Sequence, residues 1–206
     1  MAAPLIFQIG FNRCGTEALY RFFSGSGIPS VHWDHGRLAQ RIRLNITSGR
    51  SPLIGYEEFR AFFDMEGAIN NIASPVHHVE AFKYFPALYR AYPDAVFILN
   101  TRSRDRWLKS RLTHAGGDYA RNYQKSARIP SRDALIRHWL DDWDRHHDQV
   151  RSFFADRGRL VEFNIESDDA SKLVAAIPEL DLDARHFQRI PNVTSRIIVM
   201  SGKLEP

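Results

Sequence analysis

Short apolar runs alternate along this chain with stretches whose apolar residues recur every three or four positions, and that alternation predicts the architecture. Leu5-Ile6-Phe7-Gln8-Ile9 is β-branched and aromatic and ends at Gly10, which predicts a buried strand reaching a turn. Ala18, Leu19, Phe22 and Phe23 follow at helical spacing and close at Gly25-Ser26-Gly27. Pro29 to Trp33 reads as a second strand with Asp34-His35-Gly36 as its exit. Leu38, Ile42 and Ile46 then mark an amphipathic helix ending near Gly49. Between Pro52 and Gly67 the pattern is mixed. A helical period returns from Val79 to Tyr92, and Tyr92-Pro93-Asp94 breaks it. The run Ala95-Val96-Phe97-Ile98-Leu99-Asn100 is continuously apolar, as expected of a central strand covered on both faces.

Trp107, Leu108, Arg111 and Leu112 predict a further helix, and Leu135, Trp139, Trp143 and Val150 supply the inner face of a longer one from Arg132 to Phe154. A strand from Arg159 to Ile165 and a helix from Ala170 to Ile177 complete the pattern. Strands alternating with helices in this way predict an α/β fold, a central and mainly parallel sheet with helices on both faces. There is no repeat, low-complexity segment or linker, and 206 residues with 44% apolar side chains suit one core, so residues 1–206 read as a single domain.

Composition narrows the picture modestly. The formal charge of +4 and a pI near 9.4 suit an anionic ligand, but the arginines are spread along the chain and form no basic run or nucleic-acid recognition motif. No nucleic-acid partner is therefore expected. The single cysteine, Cys14, excludes an intramolecular disulfide and any multi-cysteine metal cluster, and fits a reducing compartment. Met1 to Ile9 lacks the basic start and longer apolar core of a signal peptide, and no run approaches the roughly 20 apolar residues of a membrane span. The expectation is a soluble, cytoplasmic protein without a membrane partner.

The chemistry begins where the first strand feeds Gly10-Phe11-Asn12-Arg13-Cys14-Gly15-Thr16 and then a helix. That order points backbone N–H groups and a helix N-terminus at an anion, as phosphate-binding loops do. Gly10 and Gly15 match the glycine frame of a nucleotide-hydrolase loop, yet Thr16 stands at its lysine position and Glu17 at its magnesium hydroxyl. A second feature lies about ninety residues on, where the apolar strand ends in Asn100-Thr101-Arg102 and a helix carries Ser110 eight residues beyond Arg102. An arginine at a strand's C-terminal edge and a serine two turns into the next helix can converge on one phosphate.

Together these motifs resemble the sulfotransferases that use 3′-phosphoadenosine 5′-phosphosulfate (PAPS), nearest to small bacterial-type members. In that family a Lys or Arg stands two residues before Gly-Thr in the 5′-phosphosulfate loop, and Arg13 occupies the position. The resemblance implies the P-loop fold and a donor site made by Asn12, Arg13, Cys14, Gly15, Thr16 and Glu17, with Arg102 and Ser110 on the 3′ phosphate. Arg196, in Pro191-Asn192-Val193-Thr194-Ser195-Arg196, is a weaker family match for a C-terminal nucleotide contact. Tyr92-Pro93-Asp94-Ala95, Leu160 to Asn164, Ser30 to Asp34 and Phe63-Asp64-Met65-Glu66 add to the likeness. Cytosolic members carry lysine where Arg13 stands, so the charge is kept and the donor shape changed.

The implied reaction is in-line displacement at sulfur by a hydroxyl or amine, releasing adenosine 3′,5′-bisphosphate without a metal, with Arg13 stabilising charge on the bridging oxygen. The acceptor, a small molecule or a carbohydrate, also needs a general base. Two clusters offer one. His32 with Asp34 and His35 stands at the end of the second strand, and His77, His78 and Glu80 lie where cytosolic members place a catalytic histidine. His32 with Asp34 is the first choice and His78 the second, while His138, His146, His147 and His186 read as structural. Adjacent histidines such as His146-His147 rarely point at one metal, so no metal site is expected. The competing readings are a P-loop nucleotide or small-molecule kinase, and a nucleotide-binding module of the same fold without turnover. Oligomeric state is left open by the sequence.

Overall fold

Ile6 and Phe7 send their side chains to opposite faces of one strand, and the rest of the core is built outward from them. The computed structural model describes residues 3–71 and 74–189, with side chains for all of these but 68–71 and 74–77. Strand β1 (Ile6–Gln8) lies at the centre of a five-stranded sheet, flanked by β3 (Ala61–Phe63) and β6 (Val96–Thr101), with β2 (Ser30–His32) and β7 (Leu160–Asn164) at the edges. All four pairings are parallel, in registers such as Phe7 with Phe97 and Phe7 with Phe62.

Period-two alternation divides the strand residues between two cores. Phe7, Phe62, Phe97 and Leu99 pack on one face with Leu38 and Ile42 of α2 (Arg37–Thr47), Phe85 and Leu88 of α3 (Phe85–Ala91), and Trp139, Val150 and Phe154 of a longer helix, Arg132–Phe154. Ile6, Ala61, Phe63, Val96, Ile98 and Phe163 pack on the other with Leu19, Phe22 and Phe23 of α1 (Thr16–Gly25). Both faces being covered, the inner strands β1, β3 and β6 are largely apolar, while the edge strands β2 and β7 alternate. Each fully buried Phe or Leu contributes about 1.5–3 kcal/mol.

The remaining helices are α4 (Arg104–Thr113), α5 (Asp118–Ser126), α6 (the Arg132–Phe154 helix) and α7 (Ala170–Ala176). The bounds of α6 are those the periodicity predicts. The Ser131 hydroxyl accepts the Ala134 N–H at its start (3.1 Å), satisfying one of the donors a helix N-terminus leaves open. Among the described residues no helix is long and apolar enough to cross a membrane.

One segment differs from the sequence expectation. Val79 to Tyr92 is not one helix: β4 (Glu66–Asn71) and β5 (Ser74–Glu80) form an antiparallel hairpin, and a 3₁₀ turn at Ala81–Tyr84 follows. The α-helix starts only at Phe85, with Pro86 in its first turn where a missing N–H costs nothing. Val79 and Phe82 have spacing that a helix can use, but pairing of Gly67 with Val79 and Ala68 with His78 satisfies the backbone of this stretch as strand. The hairpin sets Glu66 opposite Glu80 beside the C-terminal ends of the sheet.

Candidate active site

Parallel strands present their C-terminal edges to one side, and there the chain encloses a cavity of about 1010 Å³. The loop from β1 to α1 forms its floor. Gly10 is pressed so closely on β6 that a Cβ there would lie 2.1 Å from the Asn100 carbonyl oxygen, which no side chain could tolerate. Asn100 then stitches the loop down. Its Oδ1 accepts from the Gly10 N–H (3.0 Å) and from Gln8 Nε2 (2.6 Å), while its Nδ2 donates to the carbonyls of Phe11 (3.2 Å) and Cys14 (3.0 Å). Arg13 and Gly15 are left-handed, with φ of 62° and 80°. Left-handed residues alternating with others turn neighbouring N–H groups to one side, as anion-binding nests require.

Two motifs ninety residues apart meet over this loop. Arg13 Nε donates to the Ser110 hydroxyl (3.2 Å), and Arg102 Nη1 donates to the Arg13 carbonyl (3.1 Å). Arg102, at the end of β6, also directs Nε and Nη2 at one oxygen of Glu166 (3.2 and 2.9 Å), whose other oxygen accepts from the Ser103 N–H (2.9 Å). Burial raises the Glu166 carboxyl, but the Ser103 N–H and Arg102 outweigh it and hold the group below its usual value.

The other loop residues divide by orientation. The Thr16 hydroxyl lies 3.2 Å from His32 Nε2, and Glu17, in the first turn of α1, pairs with Arg21 (2.7 Å). Asn12 turns away from the loop, donating to Glu66 (3.0 Å) and to the Tyr119 hydroxyl (3.2 Å). Cys14 is fully buried in the core, where burial pushes its thiol up, so only its backbone belongs to the loop. Ser110 is 6% exposed and lies beneath Arg13 instead of opening on the cavity.

The His32–Asp34 pair is not formed, which corrects the first-choice base. Trp33, Asp34, His35 and Gly36 all have positive φ, a left-handed run that non-glycine residues adopt at a cost. The run swings Asp34 out toward α2, where it accepts from Arg37 (2.5 Å) and from the Tyr56 hydroxyl (2.5 Å). Asp34 and His35 do not line the main cavity, and they border a separate surface depression.

His32 stands between two other carboxylates, with Nε2 3.7 Å from Asp64 and Nδ1 3.7 Å from Glu17. Asp64 follows β3, lines the cavity, and is held by a left-handed φ of 50° and by its N–H donating to Gln8 Oε1 (2.8 Å). Burial, then the neighbouring Glu66 charge, push its carboxyl up to about 7, against the opposing pull of Arg13. Burial also holds the His32 imidazole below its usual value, against the opposing pull of Glu17.

The inner wall is a buried ionic array. Glu66 accepts from Arg111 Nη2 (3.3 Å) and from the Tyr119 hydroxyl, and His78 Nε2 stands 3.1 Å from it. Arg111 is fully buried and caged by the rings of Trp139, Tyr119, Trp107, Tyr123 and Phe11 at 4.6 to 5.6 Å. Burial alone would raise the Glu66 carboxyl, and Arg111 with His78 overcomes it and keeps the group well below its usual range. Behind it Lys83 joins Glu80 (2.6 Å) to Asp142 (2.7 Å). Glu66, His78 and Glu80 bring three donor atoms within 4.8 Å of one another, but both carboxylates already pair with cations of the chain. His78 thus lines the cavity as a partner of Glu66.

His146 and His147 are structural: His146 donates from Nε2 to the Ile9 carbonyl (2.6 Å), and His147 from Nδ1 to the Trp143 carbonyl (2.8 Å). Arg196 lies outside the described residues, and the side chain of His77 outside the described side chains. Asp64 and Glu66 carry only a family likeness in the sequence and Arg111 only a helical spacing, and neither these nor Tyr119 and Glu166 are given a role in the site there. The one local signal for the first two is their place just after a short apolar triplet, Ala61-Phe62-Phe63.

A glycine loop between the central strand and first helix, with Arg13 and Arg102 at the strand ends of a parallel sheet, is an arrangement that can hold an anion in α/β proteins. A model of the sulfotransferase domain matches residues 5–139, about two thirds of the 206, and the chain belongs to that family, whose domain is of the P-loop type. A comparison with curated proteins returns no match.

Proposed function

We propose that this protein transfers a sulfuryl group from PAPS to a hydroxyl or amine of a small molecule or carbohydrate. The observation that carries the reading is the convergence of Arg13 and Arg102 over a glycine loop whose lysine position is Thr16, with Ser110 supporting Arg13 from beneath. Two arginines and a nest of N–H groups suit the two phosphate ends of such a donor, and the cavity of about 1010 Å³ has room for a nucleotide beside an acceptor. Tyr119, Asn122, Tyr123 and His114 line the part beyond the loop and suit a hydroxylated ring. A kinase would lack its phosphate lysine here. The buried free thiol of Cys14 accords with a reducing compartment such as the cytoplasm.

The chain's own groups divide the reaction between them. Asp64 accepts the proton of the attacking hydroxyl as the new oxygen–sulfur bond forms, and Arg13 takes up negative charge on the bridging oxygen as the old bond breaks. Only an interaction stronger in the transition state than in the ground state speeds this step, which is what a cation at a developing oxyanion provides. Arg13→Ala is expected to lower turnover by about two to three orders of magnitude, read as release of adenosine 3′,5′-bisphosphate from PAPS in the presence of an acceptor pool. Near-normal turnover would remove Arg13 from the chemistry.

Thermal unfolding with ligand tests the donor directly. Adenosine 3′,5′-bisphosphate at a hundred times its dissociation constant is expected to stabilise the protein by about 2.7 kcal/mol. ATP with magnesium should leave it unmoved, and Arg102→Ala should abolish the shift. A response to ATP alone would favour the kinase. Bisphosphate binding without sulfuryl transfer to any pool of acceptors would favour a non-catalytic module.

A further inference from the structure

We infer that Glu166 is an intramolecular occupant of the donor site: its carboxylate sits where the 3′ phosphate of a nucleotide would bind and sets how strongly 3′-phosphorylated nucleotides are preferred. The inference rests on the reading of Arg102 as the 3′-phosphate arginine.

The donors around Glu166 are those a phosphate would use. Arg102 offers Nε and Nη2, Ser103 offers its N–H at the start of α4, and Arg106 reaches the same carboxylate with Nη1 (3.3 Å). An arginine fork, a helix N-terminus and a second guanidinium together form an anion site. Arg102 lies between this site and the loop, since its remaining Nη1 holds the Arg13 carbonyl at 3.1 Å.

The carboxylate reaches this place because its turn is fixed. The Glu166 N–H donates to Asn164 Oδ1 (2.9 Å), and the Asn164 N–H donates to Asp168 Oδ2 (2.9 Å). Ile165 packs so tightly on the loop that a Cβ on Gly15 would lie 2.5 Å from its Cδ1. The backbone of the turn is therefore part of the donor site's wall, and the Glu166 side chain is what can rotate away. A dianionic phosphate and a carboxylate cannot share one arginine fork without strong repulsion, so binding of a 3′-phosphorylated nucleotide exchanges one anion for the other. A nucleotide without that phosphate needs no exchange and leaves Glu166 in place. Because the competent, vacated site is only a fraction of the population, apparent affinity for the 3′ phosphate is lowered by that fraction.

The test is calorimetric titration of the full chain with adenosine 3′,5′-bisphosphate and with adenosine 5′-monophosphate, on the wild type and on Glu166→Gln. Glutamine keeps the shape and removes the competing charge. Affinity for the bisphosphate is expected to rise about tenfold while that for the monophosphate stays the same, so the ratio of the two rises. Glu166→Asp, which keeps the charge but withdraws it by one methylene, should fall between, and guards against a glutamine variant that folds poorly. A ratio that is unchanged or lower in Glu166→Gln, with the wild type binding the bisphosphate, overturns the inference while leaving the donor reading intact. If neither protein binds the bisphosphate, the donor reading itself falls, and the inference with it.

Discussion

Asp64→Asn is expected to slow sulfuryl transfer by about 10²–10⁴-fold, the usual contribution of a positioned general base, while leaving bisphosphate binding unchanged. The Asp64 backbone is held by its N–H donating to Gln8 Oε1, and its carboxyl lines the cavity and is pushed up to about 7. A base must be deprotonated, so the wild-type rate should climb as pH rises through about 7, and that rise should vanish in Asp64→Asn. The groups that face it are Arg13 and Glu17 from the loop and α1, His32 from β2, Glu66 from β4 and Arg111 from α4. Of these, Arg13 and Arg111 favour the charged carboxylate, while burial and Glu66 oppose it more strongly.

Linkage supplies a second reading of the same group. Its folded value is raised above the ordinary 3.8, so between about pH 4 and about pH 7 the native state keeps a proton that the unfolded chain has released. Stability from this group is full below that window and lost as pH rises through it. Asp64→Asn should flatten that part of the stability profile measured by urea unfolding. An unaltered pH–rate curve in Asp64→Asn would transfer the role to another group, with His32 the next nearest.

Arg111→Ala is expected to destabilise the fold by about 3–5 kcal/mol, measured by chemical denaturation. The guanidinium is fully buried and its Nη2 bonds to Glu66, so removal would leave a buried carboxylate without its cation. The aromatic cage would also lose its centre, since five rings stand within 5.6 Å. Combining Arg111→Met with Glu66→Gln should recover much of the loss, because apolar replacement of a whole buried pair is often neutral. If Arg111→Ala costs less than about 1 kcal/mol, as an exposed pair would, the array is not a structural unit.

Several elements were legible because their signal is local. The strand before Gly10, the run from Ala95 to Asn100 and the apolar stripe of α6 each show in a single window of sequence. The hairpin was not legible, since Glu66 and Glu80 pair across fourteen residues and the apolar spacing after Val79 suits a helix equally well. Helix α5 was missed because it buries only Ala120 and Tyr123. Asp34 misled by adjacency: it is two residues from His32, but a left-handed turn separates them in space.

The sequence by itself determined the alternating fold, the glycine loop without a lysine, and the spacing that carries Arg13, Arg102 and Ser110 to one edge. Those follow from short-range periodicity and from which residues tolerate left-handed backbone. Only the tertiary structure decided which carboxylates face the cavity. Asp64 acquires its raised value from burial beside Glu66, Glu66 its lowered one from Arg111, and Glu166 reaches Arg102 across 64 residues. Charge interactions depend on distance and on exclusion of water, and neither is written in the order of residues along a chain.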